Sequence, residues 1–307
     1  MNAFVVAVIA THRRHAELKR LLDSLEKIEN HLGAVVVADN AGDAQAIVKS
    51  ARCNTRWIAP SSNLGCGGGL ALAEKTAFDI FGDRLTHLWI LDDDAVAHPD
   101  TLEILLKEMR REHADVACPM IADEHGRVGW FPGLLDAKKF RLIRTPITPP
   151  EFITHCGDAS IPFSWSTGIS LLVTRRAIEE CEFHRGDFWV RGEDLEFSLR
   201  LTARQRGIFV PKTTVVHLPP PANQPASREQ EYLKHCALLQ NLCYVALRLR
   251  HGHRIARTLP GNFFRFLKTW RSADALRDAT LAFRLGAFQG KPAGTPGFDE
   301  FRKRASQ

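Results

Sequence analysis

Three adjacent aspartates, Asp92-Asp93-Asp94, follow the apolar run Thr86–Leu91. In an extended segment alternate side chains share a face, so Asp92 and Asp94 point together and Asp93 points away. Two carboxylates on one side of a strand end suit a hard divalent cation, Mn²⁺ or Mg²⁺, which keeps waters and also takes substrate phosphate oxygens. The other reading is a solvated acidic loop capping the next helix, which would leave three repelling charges unrelieved. A second acidic pair, Glu193-Asp194, follows Trp189-Val190-Arg191-Gly192 at the expected start of a helix. A carboxylate there either caps the helix or, ionised and within reach of a hydroxyl, acts as a general base. The segment Asn63-Leu64-Gly65-Cys66-Gly67-Gly68-Gly69 precedes a helical pattern. Glycines such as Gly67 let backbone approach a ligand, and N–H groups at a helix start attract phosphate. Its spacing is neither that of a P-loop nor that of a dinucleotide fold, and a flexible turn is the alternative. His217 ends a Thr-Val-Val-His strand, where a histidine is either a satisfied structural residue or a ligand.

These groups need elements to position them. Residues 4–10, 34–38, 55–58 and 86–91 read as short buried strands rich in β-branched residues. Between and after them, residues 15–30, 43–51, about 70–82 and 99–112 read as helices, the first with Leu18, Leu21, Leu22, Leu25 and Ile28 at helical spacing. Four strand–helix alternations in the first 112 residues specify an α/β fold with a mostly parallel central sheet flanked by helices. In such sheets the ligand crevice lies outside the carboxyl ends of the strands. Asp39 and the triplet both sit there. The second half is less regular. Strands are expected at 116–121, 170–173 and, broken at Pro211, within 207–217; helices at 174–181, 193–206, 228–250 and 263–288; and 123–162 as loop. Pro219-Pro220-Pro221 reads as a hard stop.

The composition sets bounds on this reading. The 307 residues are 45% hydrophobic and 25% charged, ordinary for one large domain or a domain with a helical appendage. No apolar run approaches the roughly eighteen residues of a membrane span. The start, Met1–Arg14, lacks a basic leader and a small-residue cleavage site, so no signal peptide is expected. The seven cysteines are scattered without a C-x-x-C pair, which argues for reduced thiols and against a zinc site. Net charge is +6, but from Arg248 onward thirteen basic residues face four acidic ones, leaving a mildly acidic body. A basic tail suggests an anionic partner: a membrane surface, nucleic acid or a phosphorylated substrate.

Taken together, Val-Ile-Ala-Thr-His-Arg-Arg, Ala-Asp39-Asn40, Asn63-Leu-Gly-Cys-Gly-Gly-Gly, Leu-Asp-Asp-Asp, Gly-Glu-Asp-Leu-Glu-Phe and the strand-end His217 resemble the family 2 inverting glycosyltransferases over roughly residues 4–250. Within that family the Asn-Leu-Gly segment followed by Asp-Asp-Asp looks most like bacterial galactofuranosyltransferases, with rhamnosyltransferases next. The resemblance implies a GT-A-type nucleotide-diphospho-sugar transferase fold. It implies a metal held by Asp92, Asp94 and His217, Asp93 facing the sugar or ribose, Asp194 as base and Glu193 positioning the acceptor. It places Thr11, Arg13, Asp39 and Asn63 along the nucleotide site and Trp165 against the sugar. Two positions depart from the pattern: Glu193 follows Gly192 where relatives usually have Asp-Asp after Trp, and Gln240-Asn241 stands where they carry Arg-Asn.

The expected domains are a catalytic unit over 1–222, with a donor half to about 112 and an acceptor half beyond it, and a basic helical region over 223–307. From Phe263 to Phe288, aromatic residues alternate with Arg and Lys in a pattern that suits an interfacial helix on anionic lipid or a helix packed on the catalytic unit with a solvated basic face. The implied partners are a UDP-sugar donor and a lipid-linked or polysaccharide acceptor, with no nucleic acid; the expected location is the cytoplasm, with the cytoplasmic face of the inner membrane as a peripheral option. A dTDP-sugar rhamnosyltransferase is the alternative. A sugar-nucleotide nucleotidyltransferase, which needs no base such as Asp194, and a non-catalytic lipid-surface adaptor stand further off.

Overall fold

The computed structural model describes residues 3–28, 30–134, 147–218, 227–249 and 252–294. Strand β1 (Val5–Thr11), helix α1 (His15–Leu25), β2 (Leu32–Asp39), α2 (Gln45–Ser50), β3 (Thr55–Ile58), α3 (Gly65–Phe81), β4 (His87–Asp92), β5 (Ala95–Ala97) and α4 (Thr101–Glu112) make up the first half. Then come β6 (Val116–Ala122), β7 (Val128–Trp130), β8 (Gly133–Leu134), α5 (Pro149–Cys156), β9 (Ile161–Trp165), β10 (Ser170–Thr174), α6 (Arg175–Cys181), α7 (Glu193–Thr202) and β11 (Gly207–His217). Among the described residues there follow α8 (Arg228–Arg248), α9 (His253–Ala256), α10 (Leu259–Trp270), α11 (Ala273–Phe283) and a π-helical turn, Arg284–Phe288.

The strands form one sheet in the order β3-β2-β1-β4-β10-β6-β11-β9-β8. The α/β class holds, and the parallel run is confined to β3, β2, β1 and β4, with β6 and β11 parallel to each other. Strand β10 enters antiparallel between β4 and β6, so the sheet is mixed from there on. Side-chain alternation along the strands divides the core in two. Val5, Ala7 and Ile9 of β1 meet Leu18, Leu21, Leu22 and Leu25 of α1, while Val6 and Val8 meet Leu70, Ala73 and Ala77 of α3.

Several elements differ from the sequence expectation. The loop expected over 123–162 carries three short strands and α5, the latter held by a Thr148–Glu151 capping box. Residues 207–217 form one strand with a register shift between Val210 and Thr214, so Pro211 bends the strand rather than ending it. The helix expected over 263–288 is two, broken where Arg271 turns left-handed (φ 31°) and Ser272 caps α11. Pro219–Pro221 and the 222/223 boundary lie outside the described residues. Among the described residues no helix is long and apolar enough to cross a membrane, and none of the seven cysteines is in a disulfide.

The C-terminal helices pack both on one another and on the body. Leu233, Cys236 and Cys243 of α8 join Phe266, Ala279 and Leu285 in one apolar cluster, and Leu242 and Val245 join Phe188, Leu195 and Leu199 in another.

Candidate active site

Parallel register brings the acids together. Thr11 at the end of β1 pairs with Asp39 at the end of β2, and Ala10 pairs with Asp92 at the end of β4. Beyond Asp92 the chain turns into β5, which pairs antiparallel with β11 so that Ala95 faces His217. The Leu218 N–H then donates to the Asp94 carbonyl at 2.9 Å. That short strand, unread in the sequence, delivers His217 to the triplet. One ligand atom from each of Asp92, Asp94 and His217 lies within 4.8 Å of the others.

Asp93, which with Asp94 lies in the turn after β4, is not one of that group. It accepts from Thr11 Oγ1 at 2.7 Å and from Arg14 Nη1 at 2.9 Å, and Arg14 also donates to Asp94 Oδ2. Arg13, expected along the nucleotide, has a left-handed backbone (φ 58°) and an exposed side chain; its neighbour Arg14 is the residue that reaches the acids. The pair Arg13-Arg14 was visible in the sequence, but which member faces inward depends on the turn before α1.

The second acidic pair converges on the first. The Asp92 N–H donates to the Ile169 carbonyl at 3.1 Å, and the Gly168 N–H donates to Asp194 Oδ2 at 3.2 Å, so one short segment touches both. Asp194 Oδ1 also accepts its neighbour Leu195 N–H at 2.7 Å. Helix α7 begins at Glu193, after Gly192 in the left-handed region (φ 95°). Asn241 of α8 fixes that turn, donating to the Arg191 carbonyl at 2.7 Å.

The electrostatics are those of crowded, buried acids. Burial, then the charges of Asp94, Asp93, Asp194 and Glu193, push Asp92 well above the usual carboxylate range. Burial pushes Asp93 up to about 6 although Arg14 opposes it. Burial also acts upward on Asp94, but His217 and Arg14 hold it below its ordinary value. Burial raises both Glu193 and Asp194; the charge of Asp194 adds to the effect on Glu193. Asp94 Oδ1 is buried without a hydrogen bond, 3.3 Å from His217 Nε2, and Glu193 Oε2 is buried without one as well. A buried carboxylate oxygen whose near partner is an imidazole at 3.3 Å, beside a second carboxylate, is a donor set for a hard or borderline divalent ion. The residues present therefore fit Mn²⁺ or Mg²⁺.

The other expected residues have local work. Asp39 is fully buried. Burial acts upward on its pKa, but N–H donors from Ala44, Trp57 and Ala41 hold it low, so its carboxylate braces the loop after β2. Asn63 Oδ1 accepts the Gly65 N–H at 2.8 Å at the start of α3. The glycines, expected just ahead of a helix starting near residue 70, are its first turn. A side chain on Gly67 would collide with the carbonyls of Phe188 and Arg185, and one on Gly65 with that of Trp189. The glycines thus let α3 lie flush on the segment leading to Glu193-Asp194. Trp165 is half-buried at the end of β9, over Gly133.

Sequence reading missed three positioning residues. Asn40 clamps the glycine segment through the Gly65 carbonyl (3.0 Å) and the Leu64 N–H (2.9 Å). Glu74, fully buried, accepts from the His184 backbone N–H at 2.8 Å and pairs with its Nδ1 at 2.6 Å. His184 stacks on Phe197 of α7 at 3.7 Å between ring centroids. The signal was an acid on the apolar face of α3, in step with Leu70, Ala73 and Ala77. Gly168 had no signal, because its role comes from the spatial neighbour Asp194.

Relatives place this geometry. The family described as "Glycosyl transferase family 2" matches residues 6–166, just over half of the chain. Over 102 residues the chain is 35% identical to galactofuranosyltransferase GlfT1 of Mycobacterium tuberculosis, covering 32% of each chain. Over 123 residues it is 29% identical to the protein of the same name from Mycolicibacterium smegmatis, covering 39% of each. The matched segments thus span 32% and 39% of these curated relatives. The structure of S. aureus TarS 1–349 with UDP-GlcNAc superimposes with a TM-score of 0.60 at 15% identity, over 98% of this chain and 88% of that one. The mannosyltransferase PcManGT from Pyrobaculum calidifontis, in complex with GDP-Man and Mn²⁺, gives 0.54 at 15%, over 100% and 80%. At such identity the two structures bear on the fold, which is GT-A. With its fold, its acidic triplet and the match over residues 6–166, this chain belongs to glycosyltransferase family 2.

Proposed function

We propose that the crevice at the carboxyl ends of β1, β2 and β4 transfers a sugar from a nucleoside diphosphate donor to a hydroxyl acceptor with inversion. The observation that carries this is the convergence of two acidic groups: Asp92, Asp94 and His217 on one side, and Asp194 on the other, joined through Gly168-Ile169. A divalent ion held by Asp92, Asp94 and His217 would supply Lewis-acid stabilisation of the departing diphosphate. Asp194 takes the proton of the acceptor hydroxyl as its oxygen bonds to the anomeric carbon and the bond to the diphosphate oxygen breaks. Positive character grows on the sugar as that bond lengthens, and one displacement inverts the centre. Glu193, protonated by its surroundings over part of the neutral range, can donate a hydrogen bond to the acceptor.

We read the donor as UDP-galactofuranose, on the likeness to the mycobacterial galactofuranosyltransferases, and the acceptor as a lipid-linked or cell-surface saccharide. Support for a membrane-side acceptor comes from the helical region: Phe264 (68% exposed) and Phe288 (71%) stand in solvent near exposed Arg265, Lys268 and Arg284 along the chain. Aromatic residues beside cations suit anionic lipid headgroups. Phe266 and Leu285 are core residues, so truncation would unfold this region. The double variant Phe264→Ser/Phe288→Ser should instead lower binding to anionic vesicles at low salt, and unaltered binding would refute the membrane reading.

Turnover is tested with Asp194→Asn, assayed with UDP-galactofuranose and a dTDP-rhamnose control. The variant should lose about 10²–10⁴ in kcat while donor affinity persists. Unchanged turnover would remove Asp194 from the role of base, and preference for the dTDP-sugar would favour the rhamnosyl reading.

A further inference from the structure

Arg14 neutralises the triplet without filling it. Its side-chain hydrogen bonds go to Asp93 Oδ1 at 2.9 Å and to Asp94 Oδ2, and a third of the side chain (33%) is exposed. Asp94 Oδ1, on the other side of the same carboxylate, is buried without a hydrogen bond and faces His217. A guanidinium and a divalent ion would therefore share Asp94 through opposite oxygens. Two positive centres on one carboxylate lie within a few ångströms of each other, and burial limits the solvent screening between them. Each then lowers the affinity of the site for the other. Arg14 directly precedes α1, and among the described residues the hydrogen bonds of its side chain go to these two carboxylates, so a stronger anion can draw the guanidinium away.

We propose that Arg14 makes divalent-cation binding conditional on the donor's diphosphate. This rests on the reading that the crevice takes a nucleoside diphosphate sugar. In the free protein the guanidinium supplies the positive charge that the buried triplet requires, and the site holds an ion weakly. A diphosphate offers the guanidinium a charged, bidentate partner. The repulsion on Asp94 falls, and the ion binds. Because coupling between two ligands is reciprocal, the ion raises nucleotide affinity by the same factor. An idle crevice thus remains poor in metal, and a loaded one becomes rich in it.

The test is Mn²⁺ binding by calorimetry and by the electron spin resonance of the free ion, with and without UDP. It uses the wild type, two neutral variants, Arg14→Gln and Arg14→Ala, and the charge-keeping Arg14→Lys. Thermal melting checks that each variant is folded. The neutral variants should bind Mn²⁺ alone on the order of tenfold more tightly than wild type, and UDP should add correspondingly less. Arg14→Lys should keep the wild-type pattern. If wild type binds Mn²⁺ in a UDP-dependent way but the neutral variants take Mn²⁺ alone no more tightly, the inference is wrong. If wild type binds no Mn²⁺ even with UDP, the reading of the crevice fails and the inference falls with it.

Discussion

Asp194 is pinned by Gly168. Its Oδ2 accepts the Gly168 N–H at 3.2 Å, and a Cβ on Gly168 would stand 3.1 Å from the Asp194 Cβ. The N–H bond favours the ionised carboxylate that a base needs, against the burial that raises it. The missing side chain lets the two backbones approach closely enough for that bond. Gly168→Ala should push the carboxylate by a few tenths of an ångström, reducing kcat about tenfold with KM for the donor nearly unchanged and melting temperature within a few degrees. Steady-state kinetics on the purified variant decide it, and wild-type kcat would show that Gly168 does not position the base.

A second expectation concerns the buried Glu74–His184 pair, which ties α3 to the chain before α7. Glu74→Ala strips partners from a buried backbone N–H and from an imidazole. Leaving such groups unpaired costs about 1–3 kcal/mol each, so with two groups stripped urea unfolding should show a loss of about 2–6 kcal/mol. Glu74→Gln, which keeps one acceptor, should lose less. Equal stability of all three proteins would mean the pair is replaceable by solvent.

The glycines at the start of α3 give a third. Gly67→Ala would drive a methyl group into the Phe188 carbonyl. Overpacking against backbone costs about 1–3 kcal/mol, and the displaced segment carries Glu193 and Asp194. Both stability and turnover should fall, whereas exposed Gly261, with open space around it, should accept alanine without loss. Wild-type turnover in the Gly67 variant would contradict the flush packing.

Protonation gives a fourth. Burial and the charge of Asp194 raise Glu193 from 4.5 to about 7 in the folded chain. The folded state thus binds this proton more tightly than the unfolded state does. Its contribution to stability is complete below about 4.5 and is lost as pH rises through about 7. Metal-free protein should melt at lower temperature at pH 7.5 than at pH 5.5, and Glu193→Gln should flatten that slope. An unchanged slope would show that Glu193 is not the group responsible.

Much of the first half was legible in the sequence because strand and helix periods there are clean. Residues 55–58 were read as a strand to the residue, and Asp92 and Asp94, expected side by side, lie within 4.8 Å of each other and of His217, although a turn at Asp93-Asp94, not strand alternation, brings them there. What escaped was set by tertiary pairing. Strand β5 is three residues long, Ala95–Ala97, too short to show a period, yet it carries His217 to Asp94. The glycine run was read as leading into a helix from about residue 70, whereas the helix takes in Gly65–Gly69; glycine is disfavoured in helices, and close packing on the 185–189 backbone overrides that preference. Arg14 and Arg13 could not be told apart, since a left-handed turn at Arg13 decides which one faces the acids.

The central claim is that the acidic crevice binds a nucleoside diphosphate together with a divalent ion. Calorimetric titration of UDP into wild type and Asp94→Ala, each with Mn²⁺ and then with chelator, tests it directly. The account predicts UDP binding to wild type that strengthens with Mn²⁺, and no Mn²⁺ effect in Asp94→Ala. Binding of equal strength in Mn²⁺ and in chelator, or a Mn²⁺ effect that survives the loss of Asp94, would contradict it.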